Sequence, residues 1–127
     1  MSHRLRLEIV MHKAGVQFMT GTDIPAAYLY TGFSLHDELA LLVKDGFTPM
    51  EALQAATINP ARFLGLEKSL GTIEKGKLAD LVLLEANPLE NIANTKKISA
   101  VIVNGRYLSN EALQKMLADV EAIANKK

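Results

Sequence analysis

Apolar positions along this chain change period twice, and the changes divide it into helical and strand-like stretches. Over residues 4 to 13, Leu5, Ile9 and His12 fall near one helical face, with Leu7 and Met11 off it, until Gly15 stops the pattern. The run Val16 to Thr20 is short and apolar enough to be a strand covered on both sides, as in a parallel sheet. Residues between Asp23 and Ser34 include Pro25, Gly32 and several aromatics without a period, which predicts a loop with at most a helical turn. A second helix is expected from about Leu35 to Asp45, closed by Gly46. T-P-M-E at 48 to 51 then reads as a capping box, with Pro49 in the first turn where its missing donor is harmless. Asn59-Pro60 repeats the device more weakly and predicts a short helix through Phe63 and Leu64 to Gly65.

From Gly71 onward the period moves towards two. Leu70 to Glu74, Leu81 to Glu85 and Ser99 to Val103 read as short strands, Gly76 as a tight turn, and Asn104-Gly105 as a two-residue hairpin turn. A small antiparallel sheet follows from that pattern. Ser109 and Asn110 are suited to cap a last helix whose Leu113, Met116, Leu117, Val120 and Ile123 share one face. That amphipathic face predicts packing on another surface.

Composition narrows the function more by exclusion than by assignment. The chain has 127 residues, 49% of them hydrophobic, which is single-domain size. Such a chain is expected to bury about two thirds of its unfolded surface. Fourteen Lys and Arg balance fourteen Asp and Glu, and the basic residues form only short clusters, His3-Arg4, Lys96-Lys97 and Lys126-Lys127. No stripe could track a phosphate backbone, so nucleic acid is not an expected partner. The absence of cysteine removes disulfides and thiolate metal sites and fits a reducing compartment, with the cytoplasm as the expected location. The longest apolar runs, such as Leu39 to Val43 and Leu81 to Leu84, are too short for a bilayer, and no membrane partner is expected.

One stretch asks for a chemical explanation. Residues 15 to 23, G-V-Q-F-M-T-G-T-D, end an apolar run on a carboxylate, Asp23. Taken alone, Gly-Thr-Asp is a turn or helix-capping aspartate, since aspartate favours both places. The remaining candidates are weak. His3, His12 and His36 form no H-x-H, no H-E-x-x-H and no pair four apart on one helical face. His36, Asp37 and Glu38 are consecutive, so on a helix they point about 100° apart and cannot converge on one ion. They read as polar residues of a first turn, where the helix dipole favours acidic side chains. Thr48 and Glu51 are capping residues. Met11, Met19, Met50 and Met116 are expected to pack.

In order along the chain, G-V-Q-F-M-T-G-T-D, S-L-H-D-E-L-A-L-L-V-K-D-G-F-T-P-M-E-A-L-Q-A-A-T-I-N-P-A-R-F-L-G-L, L-G-T-I-E-K-G-K-L-A-D-L-V-L-L-E-A-N-P-L and V-I-V-N-G-R resemble the C-terminal part of the amidohydrolase superfamily. The nearest look-alikes are the imidazolonepropionase branch and the related metal-dependent dipeptidases and prolidases. The resemblance runs from about Ala14 to Tyr107. It implies that Asp23 ends the eighth strand of a (β/α)8 barrel, beside one or two divalent metals such as zinc. There it would act as a metal ligand and as the general base that takes a proton from the attacking water, whose pKa a bound cation lowers towards ~7. The resemblance also implies that Gly21 lets the backbone turn under that site, and places Asp80 in the small β domain, away from it.

The family's other ligands, an H-x-H pair, a mid-barrel lysine or glutamate and two later histidines, have no counterparts here. A catalytic zinc commonly takes three protein ligands, so this chain alone is not expected to hold a metal or to catalyse. The expected fold is α/β to α+β: the last βα units of an amidohydrolase barrel over residues 1 to 66, part of the small β-sandwich domain over 67 to 108, and a C-terminal amphipathic helix over 109 to 127, without a complete barrel. The expected function is that of a segment derived from a metal-dependent hydrolase of C–N bonds in cyclic amides or peptides. The alternative is a non-catalytic remnant or interaction module. In either case an orphan parallel strand needs partners, so the chain is expected to form a homo-oligomer or to dock on the missing barrel portion.

Overall fold

A computed structural model describes residues 3–24 and 27–125, with the side chains of residues 3–6 outside the description. The His3-Arg4 cluster, Leu5, Pro25 and the Lys126-Lys127 cluster of the sequence reading therefore lie outside the described side chains. The order is α1 (His3–Lys13), α2 (Ser34–Lys44), α3 (Pro49–Ala55), α4 (Ile58–Phe63), β1 (Leu81–Leu84), a 3₁₀ helix (Ile92–Lys96), β2 (Ile98–Val103), β3 (Arg106–Ser109) and α5 (Asn110–Ala124). The protein is α/β with one small open sheet, and the described residues form no complete barrel.

Local chemistry sets most of the element ends. The backbone N–H of Phe47 donates to Leu42 O and that of Gly46 to Val43 O, each at 3.1 Å, with Gly46 at φ +99°. This double bond closes α2 and turns Phe47 inward, where it is buried. The capping box at α3 is complete: Glu51 N–H donates to Thr48 Oγ1 at 3.2 Å, and Thr48 N–H donates to Glu51 Oε2 at 2.7 Å. Replacing such a cap typically costs about 1 kcal/mol.

The helical core joins three elements. Leu39 of α2, Ala52 of α3 and Ile92 of the 3₁₀ helix are buried together, with Ala40, Leu42, Val43, Leu53 and Ala56 packed around them. A second nucleus is aromatic: the His12 ring stacks on Phe47 with centroids 3.9 Å apart, and Phe18 meets Phe47 edge-on at 5.1 Å. The sheet has the order β1-β2-β3, antiparallel throughout, with Val82 opposite Val101 and Ile102 opposite Tyr107. Asn104 and Gly105 take φ of +48° and +76°, which fits the two-residue hairpin turn their sequence predicts. Asp80 secures that turn by accepting the Asn104 N–H at 2.6 Å.

Several sequence expectations are not met. Residues 16 to 20 run outside any strand ladder, because no other described segment lies alongside to pair with them. Leu70 to Glu74 form a bend over residues 70–72 and no strand, with Gly71 at φ +89°. α4 starts at Ile58 with Thr57 at its N-cap position, so Asn59 lies inside the helix rather than capping it, and its amide donates to Phe18 O at 2.9 Å. Met11, Met19, Met50 and Met116 are exposed, on surfaces that no other described element covers. α5 meets its expected packing only at its start, where it contacts β2 and β3 and Asn110, Ala112 and Leu113 are half-buried. Ser109 caps it by accepting the Ala112 N–H, but no residue of the helix is buried, and Val120 and Ile123 stand 65% and 70% exposed.

The total accessible surface is 9584 Å². A compact monomer of this chain's 13.9 kDa would expose about 6,700 Å². The expectation that the chain buries what its length allows is therefore not met, and the excess is the size of a large protein interface. No helix among the described residues is long and apolar enough to cross a membrane.

Gly71 packs directly on α4. A Cβ there would lie 2.8 Å from Ile58 Cα and 2.9 Å from Ala61 Cβ, in a left-handed conformation that disfavours any side chain. Gly71→Ala is expected to lower stability by about 2–3 kcal/mol, read as a lower urea midpoint at unchanged slope. A midpoint equal to that of the parent would show that the segment does not seat on α4.

Candidate active site

Residues 16–22 lie outside helix, turn and strand and lead to Asp23. With no neighbouring strand among the described residues, the segment hangs on the helices. Thr20 N–H donates to Ala55 O of α3 at 3.0 Å, the Asn59 amide of α4 donates to Phe18 O, and Gly21 N–H donates to Glu38 Oε1 of α2 at 2.7 Å. Three helices thus hold one strand-like segment. At its end Asp23 takes φ +55° and is exposed. Left-handed backbone is uncommon outside glycine, although aspartate is among the residues most often found there, and it costs roughly 1–2 kcal/mol. The sharp turn falls on Asp23 itself, not on Gly21. Gly21 is absent from the positive-φ positions, and a Cβ there would have open space.

The two histidines with described side chains are engaged elsewhere. His12 lies against Phe47, with its Nε2 3.5 Å from Glu51 Oε1. His36 Nδ1 sits 3.1 Å from Thr95 Oγ1, whose hydroxyl donates to Ile92 O, so the Nδ1 carries the proton that Thr95 accepts. Among the described residues no three His, Cys, Asp or Glu side chains gather into a metal-holding group. The residues present do not fit a metal on their own. A cavity of about 250 Å³, lined in part by His12, Phe18, Phe47, Glu51, Asn59 and Arg62, flanks the start of the segment rather than Asp23.

Three consecutive residues of α2 tie it to two parts of the chain, His36 and Asp37 to neighbouring residues of the 3₁₀ helix and Glu38 to the segment before Asp23. His36 reaches Thr95, Asp37 accepts from Lys96 Nζ at 2.7 Å, and Glu38 reaches back to Gly21. The hydrogen bond and charge of Lys96 hold the Asp37 carboxyl below its usual value, though both groups are exposed and the pair adds little stability. Glu51 is held low mainly by the Thr48 backbone N–H. Burial, then the nearby Lys96, push His36 below its usual value, against a smaller opposing effect of Asp37. Sequence reasoning missed the roles of Glu38 and Asn59. Both bonds span distant residues, and no local pattern signals them.

Residues 1–108 match the profile of the amidohydrolase family. The chain is 36% identical to the 5-methylthioadenosine/S-adenosylhomocysteine deaminase of Moorella thermoacetica, over 89% of this chain and 31% of that protein. It is 56% identical to the imidazolonepropionase of Symbiobacterium thermophilum over 69 residues, 52% of this chain and 16% of that protein. Among solved structures, a Xaa-Pro dipeptidase with bound methionine in its active site superposes with a TM-score of 0.75 and 33% identity, over 84% of this chain and 25% of that one. The chain spans less than a third of the length of each of these relatives.

The lowered pKa of His36 has a definite sign. The folded protein binds this proton less well than the unfolded chain, whose histidine titrates near 6.5. The corresponding stability is present above that pH and lost as pH falls below it. The urea midpoint is expected to drop between about pH 7.5 and about pH 5.5, and to drop less in His36→Gln. An equal drop in the variant would place the titration elsewhere.

Proposed function

Because the chain belongs to the amidohydrolase family, whose members generally use divalent metals, we propose that it is the closing segment of a (β/α)8-barrel hydrolase of C–N bonds. In this reading residues 16–20 are the last barrel strand. Asp23, just beyond the strand's C-terminal end, acts as metal ligand and general base and accepts the proton of the attacking water. The observation that carries the reading is the segment itself. It has the length and apolar character of a buried parallel strand, is bonded to three helices, lacks a ladder partner among the described residues, and ends on an exposed aspartate in left-handed backbone. The relatives support the reaction class, since a deaminase and a dipeptidase both break a bond from carbon to nitrogen.

The chain by itself is inactive in this reading. His12 and His36 are engaged with Phe47 and Thr95, and Asp23 has no second and third ligand nearby among the described residues. The remaining ligands come from the rest of a barrel, whether continuous with this chain or separate. The excess surface supports that partner: the uncovered area is what seven further strands and their helices would hide. A second reading, a non-catalytic module that associates with itself, is favoured by α5. That helix lies beyond the matched residues 1–108 and presents Met116, Leu117, Val120 and Ile123 to solvent.

Elemental analysis and light scattering on one size-fractionated sample separate the two. The chain alone is expected to be metal-free and inactive. Refolded together with the preceding three quarters of a matched amidohydrolase, it should yield a zinc-loaded particle that hydrolyses dipeptides. In that particle Asp23→Asn is expected to lower kcat by about 10²–10⁴. Full activity in the variant would refute the role of Asp23. A metal-free homo-oligomer that ignores the added barrel portion would favour the second reading.

A further inference from the structure

Glu38 is the one acidic residue of α2's first turns that reaches the segment carrying Asp23. Its Oε1 accepts the Gly21 N–H at 2.7 Å, across 17 residues of sequence. Its Oε2 is shut off from solvent and has no hydrogen-bond partner among the described residues. A carboxylate on a helix surface ordinarily keeps both oxygens in water, and burying an unpartnered acceptor is unfavourable. Here the side chain accepts that penalty while gripping a backbone amide two residues before the left-handed turn at Asp23.

The neighbouring anchors do not reach that point. Thr20 N–H is held by Ala55 O, and the Asn59 amide holds Phe18 O, both upstream of Gly21. Past Gly21 the chain passes through Thr22 into Asp23, so the Glu38 bond is the last fixed point before the turn. An amide bonded to a carboxylate is held more tightly than one bonded to a neutral acceptor.

We propose that Glu38 is a positioning residue: its carboxylate fixes the Gly21 amide and thereby sets the left-handed turn that presents Asp23. The inference rests on the reading of Asp23 as the proton acceptor, but concerns the backbone that aims it. Glu38 touches neither water nor substrate in this scheme.

Nuclear magnetic resonance on the full 127-residue chain tests it. In the parent, a scalar coupling across the hydrogen bond should connect the Gly21 amide nitrogen to the Glu38 carboxyl carbon. Glu38→Ala should speed exchange of the Gly21 amide by about tenfold or more and move the Asp23 Cα and Cβ shifts away from left-handed values. Glu38→Gln, which keeps an acceptor oxygen, should restore the Asp23 shifts. A folded Glu38→Ala chain with Gly21 and Asp23 unmoved overturns the proposal, as does a missing coupling in the parent, which stands even if the alanine variant fails to fold. The activity of the reassembled barrel speaks separately. An active Asp23→Asn particle removes the catalytic reading and leaves these shifts untouched. Unmoved shifts beside an inactive Asp23→Asn particle remove only the role of Glu38.

Discussion

A backbone N–H or C=O needs a hydrogen-bond partner, and for the partly exposed residues 16–22 that requirement is met by the surrounding helices. A strand-like segment ordinarily satisfies it in a ladder. Here the bonds come from Ala55 O, the Asn59 amide and the Glu38 carboxylate, each on a different helix. α2, α3 and α4 must sit where they do for those three atoms to reach. The packing of α2 on α3 and the 3₁₀ helix through Leu39, Ala52 and Ile92 is therefore also part of what supports the segment leading to Asp23.

The same constraint accounts for the uneven burial. Leu39, Phe47, Ala52 and Ala55 form the layer beneath the segment and are buried, whereas Val16, Met19 and Phe33 remain exposed. In the proposed reading as a parallel strand, residues 16–20 are covered on both faces, and the helices of this chain are the cover for one. The antiparallel sheet is more self-sufficient. β1, β2 and β3 follow one another closely, joined in one case by a two-residue turn, and pair without distant help.

What the sequence made legible was local. The Thr48-Glu51 capping box, the stops at Gly15 and Gly46, the Asn104-Gly105 turn and the Ser109 cap each depend on residues within a few positions, and each appears in the structure. Resemblance to amidohydrolases was legible because long motifs keep their order over most of the chain. The failures were non-local. Val16 to Thr20 has the composition of a strand, but a ladder needs a second strand, and no residue in the run encodes its absence. Asn59 looked like a cap because Asn-Pro often is one, yet its amide serves Phe18, 41 residues away. Glu38 was read with its neighbours as a dipole-favoured residue of a helix start, and only the folded path of residues 16–22 reveals its contact with Gly21. Asp23 itself was visible in Gly-Thr-Asp, but its left-handed backbone was not, since aspartate adopts that conformation only where its surroundings impose it.

The exposed methionines give the uncovered faces a chemical vulnerability. Met11, Met19 and Met116 lie on α1, on the segment before Asp23 and on α5, with their thioethers open to solvent. Peroxide converts such a side chain to a polar, chiral sulfoxide, which no longer suits an apolar contact. A copy that stays uncovered would lose its fit to any partner gradually, through oxidation, while a covered copy would be shielded. How soon these faces are covered thus determines how long they remain able to associate.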